Sequence, residues 1–395
     1  MEINQGYNRT EVGTIPKDWK VINLNSVCSM KSGIGITSLK IDNFSQYPCY
    51  GGNGLRGYTK NFTHEGKFAL IGRQGALCGN VVYVQGKFFA SEHAIVVTPR
   101  LSNNILFLTY ILKSMNLNQY SESSAQPGLS ISKILRLKLA IPTEPEQNAI
   151  AKVISDVDYL LEKLDQLIVK KQNLKQATMH QLLTGTIRLP GFADVWELKR
   201  LGDLVTKINS GGTPTTSIES YYGGSIPWVS ISDMTKAGKI ITNTERNLTL
   251  SGFSNCSAKM YQPGTVLYAM YASLGECSIA GVQLCSSQAI LGISCGPNLS
   301  NEFLYYYLNY QKSYVKSLGQ QGTQSNLNKG MVENFKLRLP SISEQIIITK
   351  ILSDIDIELT ILESRRQKIL NLKNAIMFEL LKGKTRLKMS DKLNA

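Results

Sequence analysis

No two of the seven cysteines (Cys28, Cys49, Cys78, Cys256, Cys277, Cys285 and Cys295) stand in a C-x-x-C spacing, and their number is odd. That pattern excludes a disulfide framework and fits buried thiols in a reducing compartment. Histidine is scarcer, with only His64, His93 and His180, and none is clustered with cysteine as a zinc site requires. No metal site is expected. No hydrophobic run reaches the length of a bilayer span, and the opening stretch MEINQGYNRTEVG lacks the apolar core of a secretion signal. The expectation is therefore a cytoplasmic protein without a membrane partner. Acidic residues are also few. Against 43 Lys and Arg there are 29 Asp and Glu, a net charge of +14. Such an excess favours a polyanion, and with no membrane anchor nucleic acid is the better partner.

Catalytic motifs are missing as well. There is no G-x-x-x-x-G-K-[ST] phosphate loop, no G-x-S-x-G elbow and no H-E-x-x-H helix. The only Pro-Cys pair, Pro48-Cys49, lies in a polar, turn-rich stretch. The stretch YGGNGLRGY contains a literal G-x-G-x-x-G at Gly52, Gly54 and Gly57, but its context is wrong for a dinucleotide or a methyl donor. Such a loop must follow a buried strand and open a helix. Here Asn43–Cys49 is not a continuous apolar strand and Thr59–Gly66 is poor helix material. The glycines read instead as a surface turn in a strand-rich domain, and no cofactor is expected on this chain.

What the chain does contain is a repeat. Residues 142–189 and 340–387 match at a constant offset of 198 residues without a gap. Pro142 matches Pro340, Glu146-Gln147 matches Glu344-Gln345, and Ser155-Asp156 with Asp158 matches Ser353-Asp354 with Asp356. Leu182-Leu183, Gly185 and Arg188-Leu189 match Leu380-Leu381, Gly383 and Arg386-Leu387. Both segments read as helices of about 57 Å, at 1.5 Å per residue over roughly 38 residues. The apolar stripe runs through Val153, Val157, Leu160, Leu164, Leu167, Leu174 and Thr178 in the first. In the second it runs through Ile348, Ile351, Ile355, Leu359, Leu362, Ile369, Leu372, Ile376 and Leu380. One long stripe needs a partner, and the nearest is the other copy. The paired aspartates do not share a helix face and read as solvated charge or a subunit contact rather than as a metal site.

The regions before the helices are related more loosely. IPKDWKV, ending at Val21, resembles FADVWEL, ending at Leu198, at an offset of 177, and Trp19 and Trp196 are assigned to structure. The positive charge concentrates outside the first helix: residues 1–141 hold 15 basic against 7 acidic side chains, whereas residues 142–189 hold 6 of each. The globular parts are therefore the expected contacts for phosphate.

Together these pieces resemble the specificity subunit of type I restriction–modification systems. The resemblance rests on the two-fold repeat, on P-x-x-x-E-Q opening each helix, on S-D-[VI]-D within it and on L-L-x-G-x-x-R-L closing it. It also rests on TEVGTIPKDWKV and LPGFADVWELKRLGDL leading into the two domains. It implies an α+β fold in which two mixed α/β target recognition domains are separated by two long helices, which form an antiparallel intramolecular coiled coil in a pseudo-two-fold repeat. The first domain is then residues 1–141, its helix 142–189, the second domain 190–339, and the second helix with a tail 340–395.

The resemblance further implies that each domain reads one half of a bipartite, asymmetric site on double-stranded DNA while the helices set the unread spacer. It implies docking of two methyltransferase subunits that modify adenine at N6, and of restriction and translocation subunits. S-adenosylmethionine and ATP would be bound by those partners. In the first domain Tyr50, Asn53, Arg56 and Tyr58 lie on the glycine loop, and Arg73 and Gln74 lie in IGRQGALCGN. Arginine pairs with guanine and asparagine or glutamine with adenine through two hydrogen bonds. In the second domain Thr213, Thr215, Trp228, Ser230, Ser232 and Lys236 are candidates. Gln126 and Gln324 stand at matching positions near the end of each domain. The rival reading is a stand-alone sequence-specific DNA-binding protein. A coiled-coil scaffold with carbohydrate- or peptide-binding heads, or a self-contained enzyme, fits less of the pattern.

Overall fold

The computed structural model describes residues 6–75, 77–100, 102–122, 127–321 and 326–387. The chain divides into two compact units: residues 1–165 with 364–395, and residues 166–363. Each unit therefore contains one globular domain, the start of the long helix that follows it, and the end of the other long helix. The linear division into domain and helix does not coincide with these units, because both long helices pass from one unit into the other.

In unit 1 a short hairpin, β1 (Tyr7–Thr10) with β2 (Gly13–Pro16), precedes β3 (Lys20–Asn23). A six-stranded mixed sheet follows, built from β4 (Cys28–Ser32), β5 (Tyr47–Gly51), β6 (Gly54–Thr59), β7 (His64–Gly72), β8 (Val81–Ala90) and β9 (Ala94–Pro99). Their order is β4-β9-β7-β8-β5-β6, and only the β5–β8 contact is parallel. The central strands alternate little: Phe68 to Gly72 and Ala94 to Val97 are apolar runs, because helix Ile105–Ser114 covers one face. That helix starts where Asn104 accepts from the amides of Leu106 and Phe107. Its Phe107 and Leu112 are fully buried in the main core of the unit, each contributing about 1.5–3 kcal/mol. Strand β10 (Lys138–Ile141) returns to pair with β3.

Unit 2 repeats the frame with different lengths. Strand β11 (Glu197–Arg200) precedes β12 (Val205–Ser210), β13 (Tyr222–Val229), β14 (Ile240–Ile241), β15 (Arg246–Leu248), β16 (Val266–Ala269), β17 (Cys277–Ala280), β18 (Cys285–Ser286) and β19 (Ile290–Cys295). They form a five-stranded sheet, β12-β19-β16-β17-β14, and a three-stranded one, β15-β13-β18. Helix Asn301–Gln321 packs Phe303, Leu304 and Leu308 into the core. Strand β20 (Lys336–Leu339) pairs antiparallel with β11 in the register of β10 with β3, Lys336 opposite Arg200 as Lys138 is opposite Asn23. The two sequence offsets, 177 at the start and 198 at the end of each domain, are thereby brought side by side.

The long helices span Glu144–Thr184 and Ile342–Leu381. In unit 1 Asp158 meets Lys373 at 2.5 Å and Asp165 meets Arg366. In unit 2 Lys171 meets Glu358, and Lys175 meets Asp356 at 2.6 Å. One position rises as its partner falls, so the helices run antiparallel within each unit. The buried stripe of the first helix differs by one position from the expected one. Leu161, Leu164 and Ile168 are buried while Leu160, Leu167 and Leu174 are exposed. Adjacent leucines offer two neighbouring three-four stripes, and Leu164 belongs to both.

The repeated motifs are joints of the fold. The buried Glu146 accepts from Trp19 Nε1 at 3.0 Å and from Arg386 Nη2 at 2.9 Å, and Arg386 also donates to Asp18. Glu344 accepts from Trp196 Nε1 at 3.0 Å and from Arg188 at 3.0 Å in the same way. The helix-opening glutamate of one repeat is thus matched by the helix-closing arginine of the other. Gln147 and Gln345 donate to Pro142 and Pro340 carbonyls and accept from the amides of Asn104 and Ser300. Gly185 and Gly383 end the helices with φ of +72° and +64°. A Cβ there would stand 3.2 Å from the Trp196 or the Trp19 ring, so glycine is required twice over. Asp158 accepts from Tyr110 Oη at 2.7 Å and Asp356 from Tyr306 Oη at 2.7 Å. These aspartates are internal ties from domain helix to long helix, a correction to their reading as solvated charge or a subunit contact. Burial, then the carboxylate hydrogen bond, pushes both tyrosine hydroxyls far above their usual range.

Candidate nucleic-acid interface

In unit 1 three loops meet at one end of the large sheet. The first is the β5–β6 turn, with Gly54 at φ +82°. The second follows β7 at Arg73 and Gln74, and the third is Ser91–His93 between β8 and β9. Main-chain bonds lock them together: Ser91 N donates to Tyr50 O at 2.9 Å and Arg73 N to His93 O at 2.8 Å. Leu129 N donates to Arg73 O at 2.9 Å. A Cβ on Gly72 would stand 2.1 Å from Gly52 O, and one on Gly52 2.9 Å from Gln74 O. The glycines let these backbones approach one another.

Of the candidates in the first domain, Tyr50, Asn53, Arg56, Arg73 and Gln74 are gathered at this junction. Asn53 and Gln74 are exposed. The stem of Arg56 lies across Gly51, since a Cβ there would stand 2.4 Å from Arg56 Cδ. Arg73 is tied by its guanidinium to Ser32 Oγ at 3.1 Å. Tyr50 is half-buried and stands edge-on to Phe88, with its hydroxyl pushed up mainly by burial. Tyr58 lies four residues along β6 from the turn, its main chain bridged to Asp42. Gln126 and Gln324 lie outside the described residues.

Two neighbours, Glu92 and His93, were not among the DNA-contact candidates. His93 places Nδ1 3.0 Å from Gln74 Oε1 and Nε2 3.2 Å from Glu92 Oε1. Glu92 in turn accepts from Ile36 N at 3.2 Å.

Unit 2 builds the same junction. Gly211 N donates to Ile290 O as Gly33 N does to Ala94 O, and Met270 N donates to Ala289 O as Arg73 N does to His93 O. Leu327 N donates to Met270 O as Leu129 N does to Arg73 O. This equivalence makes Tyr271 the counterpart of Gln74, Ala289 that of His93, and Ala272 at φ +60° that of Gly75 at φ +91°. A non-glycine residue in that region is strained by about 1–3 kcal/mol. The sequence signals were Ser32-Gly33 against Ser210-Gly211 and the two residues ending each central strand, which lie too far apart to align by eye.

Two second-domain candidates are corrected. Trp228 is buried and its Nε1 donates to Gly212 O at 2.9 Å, so it pins the Gly212–Thr215 loop from inside. Ser230 caps helix Ile231–Ala237 in a reciprocal box with Asp233. Both stood among the candidates, but their polar atoms are already committed within the domain. Thr213 is half-buried on the pinned loop, and Thr215 and Ser232 are exposed. Lys236 is exposed and paired with Glu245. A shallow recess of about 450 Å³ lies nearby, lined by Thr216, Glu219, Tyr222, Glu245, Arg246 and Asn247 among others.

Among the described residues no helix is long and apolar enough to cross a membrane. The family model described as the type I restriction modification DNA specificity domain matches residues 16–170 and again 194–371. The chain is 43% identical over 148 residues to the EcoprrI specificity subunit of Escherichia coli, covering 36% of this chain and 37% of that protein. It is 26% identical over 424 residues to the putative MjaX specificity subunit of Methanocaldococcus jannaschii, covering 97% of each. The crystal structure of the type I restriction–modification S subunit from M. genitalium superposes with a TM-score of 0.65 at 16% identity, covering 99% of both chains.

Proposed function

This chain belongs to the family of type I restriction modification DNA specificity domains, and on that premise we propose that it reads a two-part, asymmetric DNA target, one half by each unit. The observation that carries this reading is the duplicated loop junction. The same main-chain frame occurs in both units, and its tips bear different side chains: Gln74 and His93 in one, Tyr271 and Ala289 in the other. A shared frame with divergent tips suits two readers of different sequence. The net charge of +14 supplies the sequence-independent attraction to phosphate.

The long helices have the complementary role. Their repeated motifs are consumed by the joints at Glu146, Asp158, Glu344 and Asp356, so each unit is fixed to both helices. Such a fixture suits a spacer of defined length. The helices also keep exposed apolar residues, Tyr159, Val169, Ile357 and Ile361 among them. These offer a surface to the methyltransferase subunits, which would carry S-adenosylmethionine and flip the adenine. Restriction subunits, with ATP, would join that assembly. The chain itself contributes recognition and no catalysis.

The test is selection from a pool of random-sequence duplexes by the full chain, alone and with its methyltransferase partner. A gapped motif recovered from the assembled complex supports the proposal. The same motif bound as tightly by the chain alone would favour a stand-alone DNA-binding protein.

A further inference from the structure

We propose that His93 determines specificity in unit 1: anchored by Glu92, it fixes which end of the Gln74 amide faces a base, and so which base edge Gln74 reads. This deepens the functional reading above and rests on it. The geometry is a chain of three side chains. Glu92 Oε2 is held by the amide of Ile36 at 3.2 Å, and Oε1 faces His93 Nε2 at 3.2 Å. A carboxylate only accepts, so Nε2 carries a proton whenever this contact is kept. The other ring nitrogen, Nδ1, lies 3.0 Å from Gln74 Oε1. Both ring nitrogens thus face acceptors, an arrangement that only the doubly protonated ring satisfies.

The amide has two ends with opposite chemistry. With the imidazolium, Nδ1 donates to Gln74 Oε1 and the NH2 group points outward. With the neutral ring, Nδ1 is an acceptor, the amide turns over to donate to it, and Oε1 points outward instead. An outward NH2 finds acceptors in the major groove: guanine O6 or N7, thymine O4, adenine N7. An outward oxygen finds the amino groups of adenine or cytosine. Gln74 is exposed and can present either end. The other charged groups on the elements that meet here are Arg73, committed to Ser32 Oγ at 3.1 Å, and Arg56, whose stem lies over Gly51. Neither replaces Glu92 beside the ring. In unit 2 the matching positions are Ala289 and Tyr271, so no such relay exists there, and the second half-site serves as an internal control.

The experiment is the duplex-pool selection with the full chain and its methyltransferase partner, performed at pH 6 and at pH 8, which straddle the ordinary range of histidine titration. Wild type, His93→Gln and Gln74→Ala are compared. In the wild type one column of one half-site should change its ratio of cytosine to guanine and thymine between the two pH values, adenine offering a partner to either end. One exchanged hydrogen bond corresponds to about threefold to tenfold. In His93→Gln that column should be the same at both pH values, and in Gln74→Ala it should flatten at both. Glu92→Gln keeps an acceptor for Ile36 but no longer demands a donor at Nε2, so the ring loses its anchor and the change should shrink. The other half-site should not move in any of them. A recovered motif with no pH-dependent column, or one that shifts as much in His93→Gln, overturns the role of His93. Failure to recover any gapped motif from a complex that assembles overturns the functional reading and this inference with it.

Discussion

Removing the Arg386 guanidinium tests the joint that closes unit 1. The side chain of Glu146 is only 5% exposed and that of Arg386 is 38% exposed. In Arg386→Ala the Glu146 carboxylate keeps only the Trp19 N–H, at 3.0 Å, and loses its charge partner. Breaking a buried pair from one side costs about 3–5 kcal/mol. The partial exposure of Arg386 admits water, which lowers the expected loss to about 2–3 kcal/mol. For a unit of this size each kcal/mol moves the midpoint by about 2–4 °C, so a fall of about 4–12 °C is expected in the thermal transition. Hydrogen exchange should locate the loss in β1–β3 and the start of the first long helix. An acid limb should change as well. The Arg386 hydrogen bond is the main cause holding the Asp18 carboxyl below its usual value. That contribution is present above the unfolded carboxylate value of about 3.9 and is lost as pH falls through the lower folded value. In Arg386→Ala this part of the pH dependence should vanish. Arg366→Ala is the control, because the Arg366–Asp165 pair is exposed on both sides and such pairs contribute about 0–1 kcal/mol. Equal shifts in the two variants, or a shift under about 1 °C in Arg386→Ala, would refute the joint.

Tyr110→Phe and Tyr306→Phe each remove one hydrogen bond to a half-buried aspartate and should cost about 1–3 kcal/mol in chemical denaturation; an unchanged midpoint would show the tie to be idle. Four residues inserted into each long helix at the unit boundary, after Asp165 and after Glu363, should lengthen the helices by about 6 Å. The preferred spacer between half-sites should then grow while both halves stay fixed, and an unchanged spacer would show that the helices do not set it. Arg56→Ala should relax preference in one half-site only; uniform weakening with a smaller salt slope would make Arg56 a phosphate contact.

The frame was legible because the repeat is nearly gapless where it matters. The constant offset of 198 marked both helices, their proline-led starts and the glycines that end them, and the tryptophans assigned to structure are the ones that reach Glu146 and Glu344. What the repeat could not show is which partner each motif meets. Glu146 and Arg386 lie 240 positions apart, and only antiparallel packing joins them. Asp158 looked solvated because no local pattern announces a tyrosine hydroxyl arriving from another helix. At the loop junction, Arg73 and Gln74 stood out only as a second loop, and the fold brings that loop against the glycine turn, whereas Trp228 and Ser230 have their N–H and hydroxyl committed within the domain. His93 was passed over because a single histidine in a strand-rich region carries no signal without its neighbours Glu92 and Gln74.

The most direct measurement is a map of methylated adenines along a host genome expressing this chain with its cognate methyltransferase subunit. The expected result is one gapped, two-part motif, absent when the chain is withheld, that yields both half-sites and the spacer together. An assembled complex that adds no methylation, or one that methylates an ungapped single motif, would contradict recognition by two units.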